Sequence, residues 1–473
     1  MQLIKSKTVK FFLILIILGS SIIVIQSQVL TDNQQIIVDV DRVIADFSTN
    51  PIGINLNFLL DTDKVIQPTQ KLNLGSLRYP MGEIADYYLF DRNHPDKPQV
   101  AIKDSHLWFA QFTNIDGTWK NPLDFDRFIK ICRAVNAEPF VVVGIDALAY
   151  SGDAPHATFD EVLQAAVDWV EYANIIKGYD VKYWEIGNEN DLNSDFINWN
   201  AEKYAETVVK LSHAMKQVDP SIKVGVNGMT GIEWWDKVMP IAKDDVDFLV
   251  THQYSSMQNY QQWHSNNWNY TYNLEVANQA IKKYNSKLRL NVTEFSSFNP
   301  SKSHANNIWK MLHNFEIIGN ILSFSQVDYC HFWISQWFAE NLYLADYSAF
   351  DREYNLMLMS YPLKIWSSFL RQQIVFSSKQ IENIRSWASF DPDNGALNIF
   401  LLNKNTKPQF VEVKLKNYSN NTKNADRVII NGNSPISGKA DWKEASPIRL
   451  KRSRIKTKLK PLSITVISSS GNK

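Results

Sequence analysis

Short apolar runs of strand length alternate along the chain with longer segments in which apolar residues recur at helical period. The strand-length runs are PIGINLN (51–57), GSLRYP (75–80), PFVVVGI (139–145), KYWEIGNE (182–189), IKVGVNG (222–228), DFLVTHQY (247–254), LRLNVTEF (288–295) and VDYCHFWIS (327–335). Between them lie DFDRFIKICRAVNA (124–137), DEVLQAAVDWVEYANIIKG (160–178), AEKYAETVVKLSHAMKQVD (201–219) and NNIWKMLHNFEIIGNIL (306–322), each with one apolar face. In DPSIKVGV a helix end, a proline stop and a buried strand follow one another. Near-continuous apolar strands alternating with amphipathic helices predict a parallel sheet covered by helices. Eight such units at similar spacing, with no glycine-rich phosphate turn after the first, predict an α/β fold of the (β/α)8 TIM-barrel kind rather than a doubly wound sheet.

After about Trp366 the pattern changes. GALNIFLLNKN (395–405), QFVEVKLKNY (409–418), RVIING (427–432) and LSITVISSS (462–470) are short strands separated by Asn, Gly and Pro turns, which predicts a C-terminal all-β sandwich. The early run QQIIVDVDRVIADF (34–47) precedes the first barrel strand and is expected to add a strand to that sandwich. The basic run RLKRSRIKTKLK (449–460) reads as a solvated strand face, with a polyanion patch as the alternative. The expected organisation is a signal segment over 1–27, a strand segment over 28–47, the barrel over 48–365 and the β-domain over 366–473.

The leader follows from charge and hydropathy. Lys5, Lys7 and Lys10 precede the apolar stretch FFLILIILGSSIIVI (11–25), and small and polar residues follow around Ser27. That order predicts a secretory signal, with a signal anchor as the alternative. A secreted or secretory/lysosomal protein is then expected, with acceptor sequons at Asn269, Asn417 and Asn420. The sequon at Asn291 lies on an apolar strand and is not expected to carry a glycan. Cys132 and Cys330 fall on elements of different layers and are expected as buried free thiols. The 49 acidic and 49 basic residues cancel, so no nucleic-acid partner is indicated. The 15 Trp, 19 Tyr and 25 Phe are a rich set of which most fill cores, and a surplus of Trp near polar strand ends would suit stacking on sugar rings.

Chemistry enters at the strand ends. Glu189 closes KYWEIGNE and Glu294 closes LRLNVTE, the fourth and seventh runs. In a closed barrel both ends open on the same face. Two carboxyls aimed into one pocket repel each other and lose hydration, which gives them little structural use. A protonated and an ionised carboxyl together perform glycoside hydrolysis. A metal and a cofactor are not expected, since no His/Asp/Glu cluster has ligand spacing.

The motifs WEIGNEN and VTEF resemble the acid/base and nucleophile motifs of the retaining glycoside hydrolases of clan A. LRYPMGEIADYYLF is similar to the corresponding segment of the family 51 α-L-arabinofuranosidases, and THQY resembles their strand-six His-x-Tyr. The β-domain is similar to that of families 51, 39, 30 and 79. The resemblance implies that Glu189 is the general acid/base and Glu294 the nucleophile. It also implies that Asn188 binds the hydroxyl next to the anomeric carbon, that Arg78 holds Glu294 ionised and that Tyr254 orients it. His252 would sit beside the acid/base and Trp333 would form a sugar platform; outside the family pattern, Glu83 and Asp86 follow strand two, and Glu83 is a candidate substrate contact. The chain departs from the family pattern in two places. Met81–Gly82 replaces a glycine pair, and Asn57 stands where a substrate-binding Glu is expected. The loop from 81 to 123 carries Trp108 and Trp119, and the loop after strand eight carries Trp337 and Tyr343, which suits an extended cleft or simple loop anchoring.

The expected function is a secreted retaining glycoside hydrolase of arabinofuranosidase-like type, acting on a polysaccharide or oligosaccharide. An endo-acting, uronide- or xyloside-specific clan A enzyme, and a catalytically inactive carbohydrate-binding barrel, are the alternatives. The expected partner is a carbohydrate substrate, with no nucleic acid and no stable membrane insertion once the signal is removed. Nothing in the sequence speaks to the oligomeric state.

Overall fold

A computed structural model describes residues 35–266, 270–298, 306–338, 347–378, 381–419, 423–451 and 453–471. The expected signal segment, the sequons at Asn269 and Asn420, and Tyr343 lie outside these residues. Among the described residues no helix is long and apolar enough to cross a membrane.

Eight parallel strands close into a barrel. In chain order they are Ile52–Asn55, Ser76–Tyr79, Glu138–Val143, Tyr183–Ile186, Lys223–Asn227, Phe248–Ser256, Arg289–Phe298 and Val327–Phe332. Helices such as Phe125–Val135, Phe159–Val170, Ala201–Val218 and Ile308–Ile321 connect them. The helix starts follow local chemistry. Asp124, Thr158, Asn200 and Asn307 each accept a backbone N–H of the first turn, and Thr158 with Glu161 forms a capping box. The fourth strand ends at Ile186, three residues earlier than the sequence suggested. Gly187 takes φ +71° and turns the chain out of the extended region, so Glu189 sits in the turn after the strand.

The barrel interior is layered. At the bottom Phe140, Tyr183, Phe248, Val250 and Tyr329 form an apolar plug. Above them the interior becomes polar, with Ser76 Oγ 2.9 Å from His331 Nε2 and then Arg78 with Glu185. Two-residue alternation along each strand places these side chains in successive layers. Cys132 and Cys330 are free and buried.

The C-terminal all-β domain is present as expected. It is hydrogen-bonded as one nine-stranded sheet in the order Asp441–Arg449, Asn424–Asn431, Ser463–Ser469, Leu397–Asn403, Ile384–Phe390, Gln373–Ser377, Gln35–Asp46, Gln409–Lys416, Arg454–Leu459. The early strand Gln35–Asp46 joins the two halves. It pairs antiparallel with Gln373–Ser377 and parallel with Gln409–Lys416, and two register shifts interrupt the first pairing. Such irregularities bend a strand. The sheet curls far enough for Leu397, Ile399 and Leu401 to share one core with Ile36, Val413 and Ile455. The basic run is an edge strand whose Ile455, Thr457 and Leu459 are buried and whose Arg454, Lys456 and Lys458 are exposed. Charged side chains on an edge discourage further strand pairing.

The other face of the sheet docks on the barrel. Phe400 alternates with Ile399 and Leu401, points the opposite way, and stacks on Trp366 with ring centroids 4.2 Å apart. Gly319 permits the contact on the barrel side, because a Cβ there would lie 2.4 Å from the Trp387 ring. A buried carboxylate then ties the layers together. Glu316 accepts from Trp263 Nε1 at 2.8 Å and Arg385 Nε at 2.9 Å, and lies 3.3 Å from Lys404 Nζ. Burial lowers the Lys404 pKa to about 8 against the pull of Glu316. Glu316→Ala removes the anion that two buried cations share, and breaking such a pair costs about 3–5 kcal/mol. The expected result is a clearly lower denaturation midpoint, and an unchanged midpoint would show that this ion cluster does not hold the sheet to the barrel.

Candidate active site

Arg78 occupies the centre of the barrel mouth and is fully buried. Its five N–H donors all find acceptors. Nε and one NH2 hydrogen meet Glu185 Oε2 at 3.0 Å and Oε1 at 2.8 Å. NH2 also donates to Asn188 Oδ1 at 2.8 Å, and NH1 donates to Asn55 Oδ1 and Glu294 Oε1, both at 2.9 Å. A planar guanidinium with five fixed donors suits such a hub, and a lysine could not reproduce it.

Glu294 owes its aim to a bulge. In the pairing of the sixth and seventh strands Val292 faces Thr251 and Glu294 faces His252, which leaves Thr293 as the extra residue. The bulge turns both Thr293 and Glu294 toward the interior, where plain alternation would send one of them out. Glu294 Oε1 takes Arg78, and Oε2 accepts from Tyr254 Oη at 2.6 Å. Gly82 lies directly against this carboxyl. A Cβ at Gly82 would come within 2.4 Å of Glu294 Oε1 and 2.8 Å of the Trp333 ring, so the close approach needs glycine. Met81 before it holds φ +107°, a conformation that favours glycine, in the place where the family pattern has one.

Each polar residue of the NEND turn has a separate task. Asn188 Oδ1 takes Arg78, and its N–H donates to Asp86 Oδ1 at 3.0 Å. Glu189 takes φ +50°, which swings its side chain over the mouth, and Oε1 lies 2.7 Å from His252 Nδ1. Asn190 donates to Asp146 Oδ1 and exchanges hydrogen bonds with Asn227. Asp191 Oδ2 accepts the backbone N–H groups of Met229 and Thr230 and so fixes the loop after strand five. One carboxylate oxygen of Glu189 and one of Glu294 lie within 4.8 Å of each other and of a His252 ring nitrogen.

Burial is the largest influence on both carboxyls and raises both, because it penalises the charged form. With Asp191 adding to burial and Arg78 opposing, Glu189 is pushed up to about 7. Glu294 also rises through burial and through Glu189, while Arg78, the Tyr254 hydrogen bond and any positive charge on the His252 ring oppose the rise. Arg78 therefore does not by itself hold Glu294 in the ordinary carboxylate range. It opposes a burial cost that remains the larger effect. Burial also lowers the His252 pKa and keeps the ring neutral. The Glu189 side chain is 28 % exposed and that of Glu294 5 %, so Glu189 is the carboxyl open to the mouth.

Glu189, His252 and Glu294 are close enough to hold a metal ion. The donor set argues for proton chemistry instead. Both Glu294 oxygens already accept strong donors, and a cation there would sit beside the buried Arg78 charge.

The structure brings Arg78, Asn188, Glu189, His252, Tyr254, Glu294 and Trp333 together at the mouth. Glu83 lies at its edge, where it accepts from Trp108 Nε1 at 2.8 Å, and with Glu189, Asp86 and Asp146 it lines a cavity of about 190 Å³. Burial raises Glu83, and raises Asp146 to about 7. Trp108 is 40 % exposed at the rim, while Trp119 is buried and anchors its loop. Asn57 is occupied structurally: Nδ2 donates to Gln336 O, and Oδ1 accepts from the backbone of Leu59 and Leu60. Sequence reasoning missed Asn55, Glu185 and Thr293, which surround Arg78 and His252. A lone charged residue in the buried strand YWEI, two residues from Tyr183, is the signal that would have flagged Glu185 as facing inward.

Arg78→Met removes the cation beside Glu294 and should raise its pKa by a further ~1–3 units, since the charged form loses its closest partner. A carboxyl ¹³C titration reads this directly. A Glu294 midpoint that stays in place would show that the ion pair does not set its charge.

Residues 70–275 match the family described as Alpha-L-arabinofuranosidase 1 domain. A relative named "Probable alpha-L-arabinofuranosidase C" from Aspergillus fumigatus is 29 % identical over 203 residues, which is 40 % of this chain and 35 % of that protein. The chain thus spans about a third of the length of the curated relatives it matches. Among solved structures, the α-L-arabinofuranosidase of Thermotoga maritima in its arabinose complex has a TM-score of 0.71 at 16 % identity, over 92 % of this chain and 100 % of that one. A family 44 xyloglucanase of Paenibacillus polymyxa reaches 0.66 at 14 % identity, over 92 % and 99 %. The solved structures share the fold of the barrel with its β-domain, and the stretch that matches the arabinofuranosidase domain carries Arg78, Glu189, His252 and Tyr254.

Proposed function

We propose that the protein is a retaining glycoside hydrolase of the α-L-arabinofuranosidase-like kind. The observation that carries this reading is the pair Glu189 and Glu294, whose oxygens approach within 4.8 Å. Retaining enzymes hold their carboxyls about 5–5.5 Å apart, whereas inverting enzymes leave about 6.5–9.5 Å for a water. Glu294, fixed by Arg78 and Tyr254, attacks the anomeric carbon. Glu189 gives its proton to the departing oxygen and then, as a base, activates the water that releases the sugar. Arg78 engages Asn188 Oδ1, which commits the amide Nδ2 to a sugar hydroxyl. Preorganised donors of this kind favour the transition state because they need no rearrangement as charge develops.

The substrate class follows from the cavity beside Glu189. At about 190 Å³ it is smaller than a drug-sized pocket, and it suits a single sugar ring. The described residues that line it include no Lys, Arg or His to pair with a uronide carboxylate, which supports a neutral sugar. Trp108, Phe112 and Phe338, with Trp337 and Trp333, form a chain of ring contacts between the loops after strands two and eight. One observation favours a second reading within the clan. Asn57 is tied up by the backbone, so the contact that the family makes from that position is absent, and a neutral glycone other than arabinofuranose fits equally well. Action in the secretory pathway or outside the cell is part of the proposal and rests on the lysine-led apolar leader.

Proton NMR of the first product should show the substrate's own anomeric configuration, and the opposite anomer would refute the double displacement. With an activated aryl glycoside, Glu189→Ala should keep part of its glycosylation and be rescued by azide with retention. Glu294→Ala should give an azide product of opposite configuration, and identical products from both would reverse the assignment. A panel of aryl arabinofuranosides, xylosides, galactosides and glucuronides should show cleavage of a neutral sugar and none of the glucuronide.

The rate should follow a bell in pH. On the acidic side Glu294 becomes protonated and cannot attack. On the basic side Glu189, with its pKa raised to about 7, loses the proton it must deliver, so kcat/KM should fall above neutral pH. A basic limb near the ordinary carboxylate value would contradict this account.

A further inference from the structure

The ring of His252 is gripped at both nitrogens. Nδ1 lies 2.7 Å from Glu189 Oε1, and Nε2 lies 3.1 Å from Thr293 Oγ1. Thr293 Oγ1 in turn donates to Glu185 Oε1 at 3.3 Å, and both oxygens of Glu185 already take Arg78. We infer that Thr293 is a positioning residue that fixes the tautomer of His252 and thereby keeps the proton on Glu189. The inference rests on the reading of Glu189 as the acid/base.

The assignment follows by counting protons. A carboxylate paired with a guanidinium only accepts, so the single Thr293 hydroxyl proton goes to Glu185. The Thr293 oxygen is then the acceptor for His252, which places the ring proton on Nε2. A neutral imidazole with a proton on Nε2 presents a lone pair at Nδ1. Facing that lone pair at 2.7 Å, an ionised Glu189 oxygen would meet repulsion, whereas a protonated one donates a hydrogen bond. The imidazole therefore favours the acid form of Glu189 and stores its proton in the resting site. When Glu189 gives that proton to the departing oxygen, the C–O bond breaks and its electrons go to the leaving group. The carboxylate left behind faces an unfavourable lone pair, which favours recapture of a proton from the attacking water in the second step.

Other charges around the pair come from every neighbouring strand end. His252 faces Glu294, Arg78, Glu185 and Asp191, with His331 below it. Glu189 faces Asp191 and Arg78, and also Glu83, Glu294 and Tyr254. None of these touches Nε2, so the Thr293 hydroxyl is the group that selects the tautomer. The bulge that turns Thr293 inward is what makes the contact.

Thr293→Val keeps the shape and removes the hydroxyl. His252 then gains by carrying its proton on Nδ1 and donating it to Glu189, which stabilises the carboxylate and lowers its pKa. The basic limb of kcat/KM on a glycoside with a poor leaving group should move toward acid by about one pH unit. Thr293→Ser restores the hydroxyl and should leave the limb in place. ¹⁵N NMR of histidine-labelled protein, with the His252 signals assigned by their loss in His252→Gln, should show a protonated Nε2 and a bare Nδ1 in the wild type, reversed in Thr293→Val. A wild-type ring protonated at Nδ1, an unmoved limb in Thr293→Val, or a Thr293→Ser shift as large as that of Thr293→Val would overturn the inference. The NMR arm needs no substrate, so it decides the tautomer even if no glycoside is cleaved, and it does so on the wild type even if Thr293→Val does not fold.

Discussion

A fully buried guanidinium cannot exist without acceptors for every one of its donors, and the site is built to satisfy Arg78. Its five N–H groups draw Glu185, Asn55, Glu294 and Asn188 from the first, fourth and seventh strands and from the turn after the fourth. The cost of desolvating the cation is offset only if those acceptors stay in place. The same requirement therefore fixes the carboxyl of Glu294 and the amide of Asn188. Residues far apart in the chain are locked into one geometry before any ligand arrives, which is the preorganisation that catalysis in a dry site depends on.

The difference between the two glutamates also starts from this hub. Both carboxyls are lifted by burial. Glu294 has Arg78 and Tyr254 in direct contact, while Glu189 has the negative Asp191 nearby and the ring of His252 beside it. Two like groups less than 5 Å apart cannot both ionise easily, so the one with direct donors carries the charge and the other keeps the proton. The division of labour comes from neighbours and not from the glutamates themselves.

Farther out, one sheet serves two cores. The strand Leu397–Asn403 is buried on both faces, with Leu397, Ile399 and Leu401 in the sheet's own interior and Phe400 and Leu402 against the barrel. Gln35–Asp46, from before the first barrel strand, closes this sheet. Chain on both sides of the barrel is thus anchored in one layer, and Glu316 bridges that layer to the barrel helix Ile308–Ile321.

Alternation of apolar runs with amphipathic helices was enough to indicate the barrel, because continuous burial of a parallel strand shows directly in its composition. It was enough also to place Glu189 and Glu294 at one mouth, since strand ends in a closed barrel share a face. Other features depended on contacts between distant segments. The turn at Gly187 moved Glu189 off its strand, the bulge at Thr293 turned two neighbours inward together, and the early strand links the two halves of the β-domain by hydrogen bonds. Glu185 and Asn55 looked like ordinary strand residues until the closing of the barrel faced them toward Arg78. Local pattern determines which residues are buried and which end of a strand they occupy. Only the closed barrel decides which buried polar groups meet, because hydrogen-bond partners hundreds of residues apart leave no periodic trace in the chain.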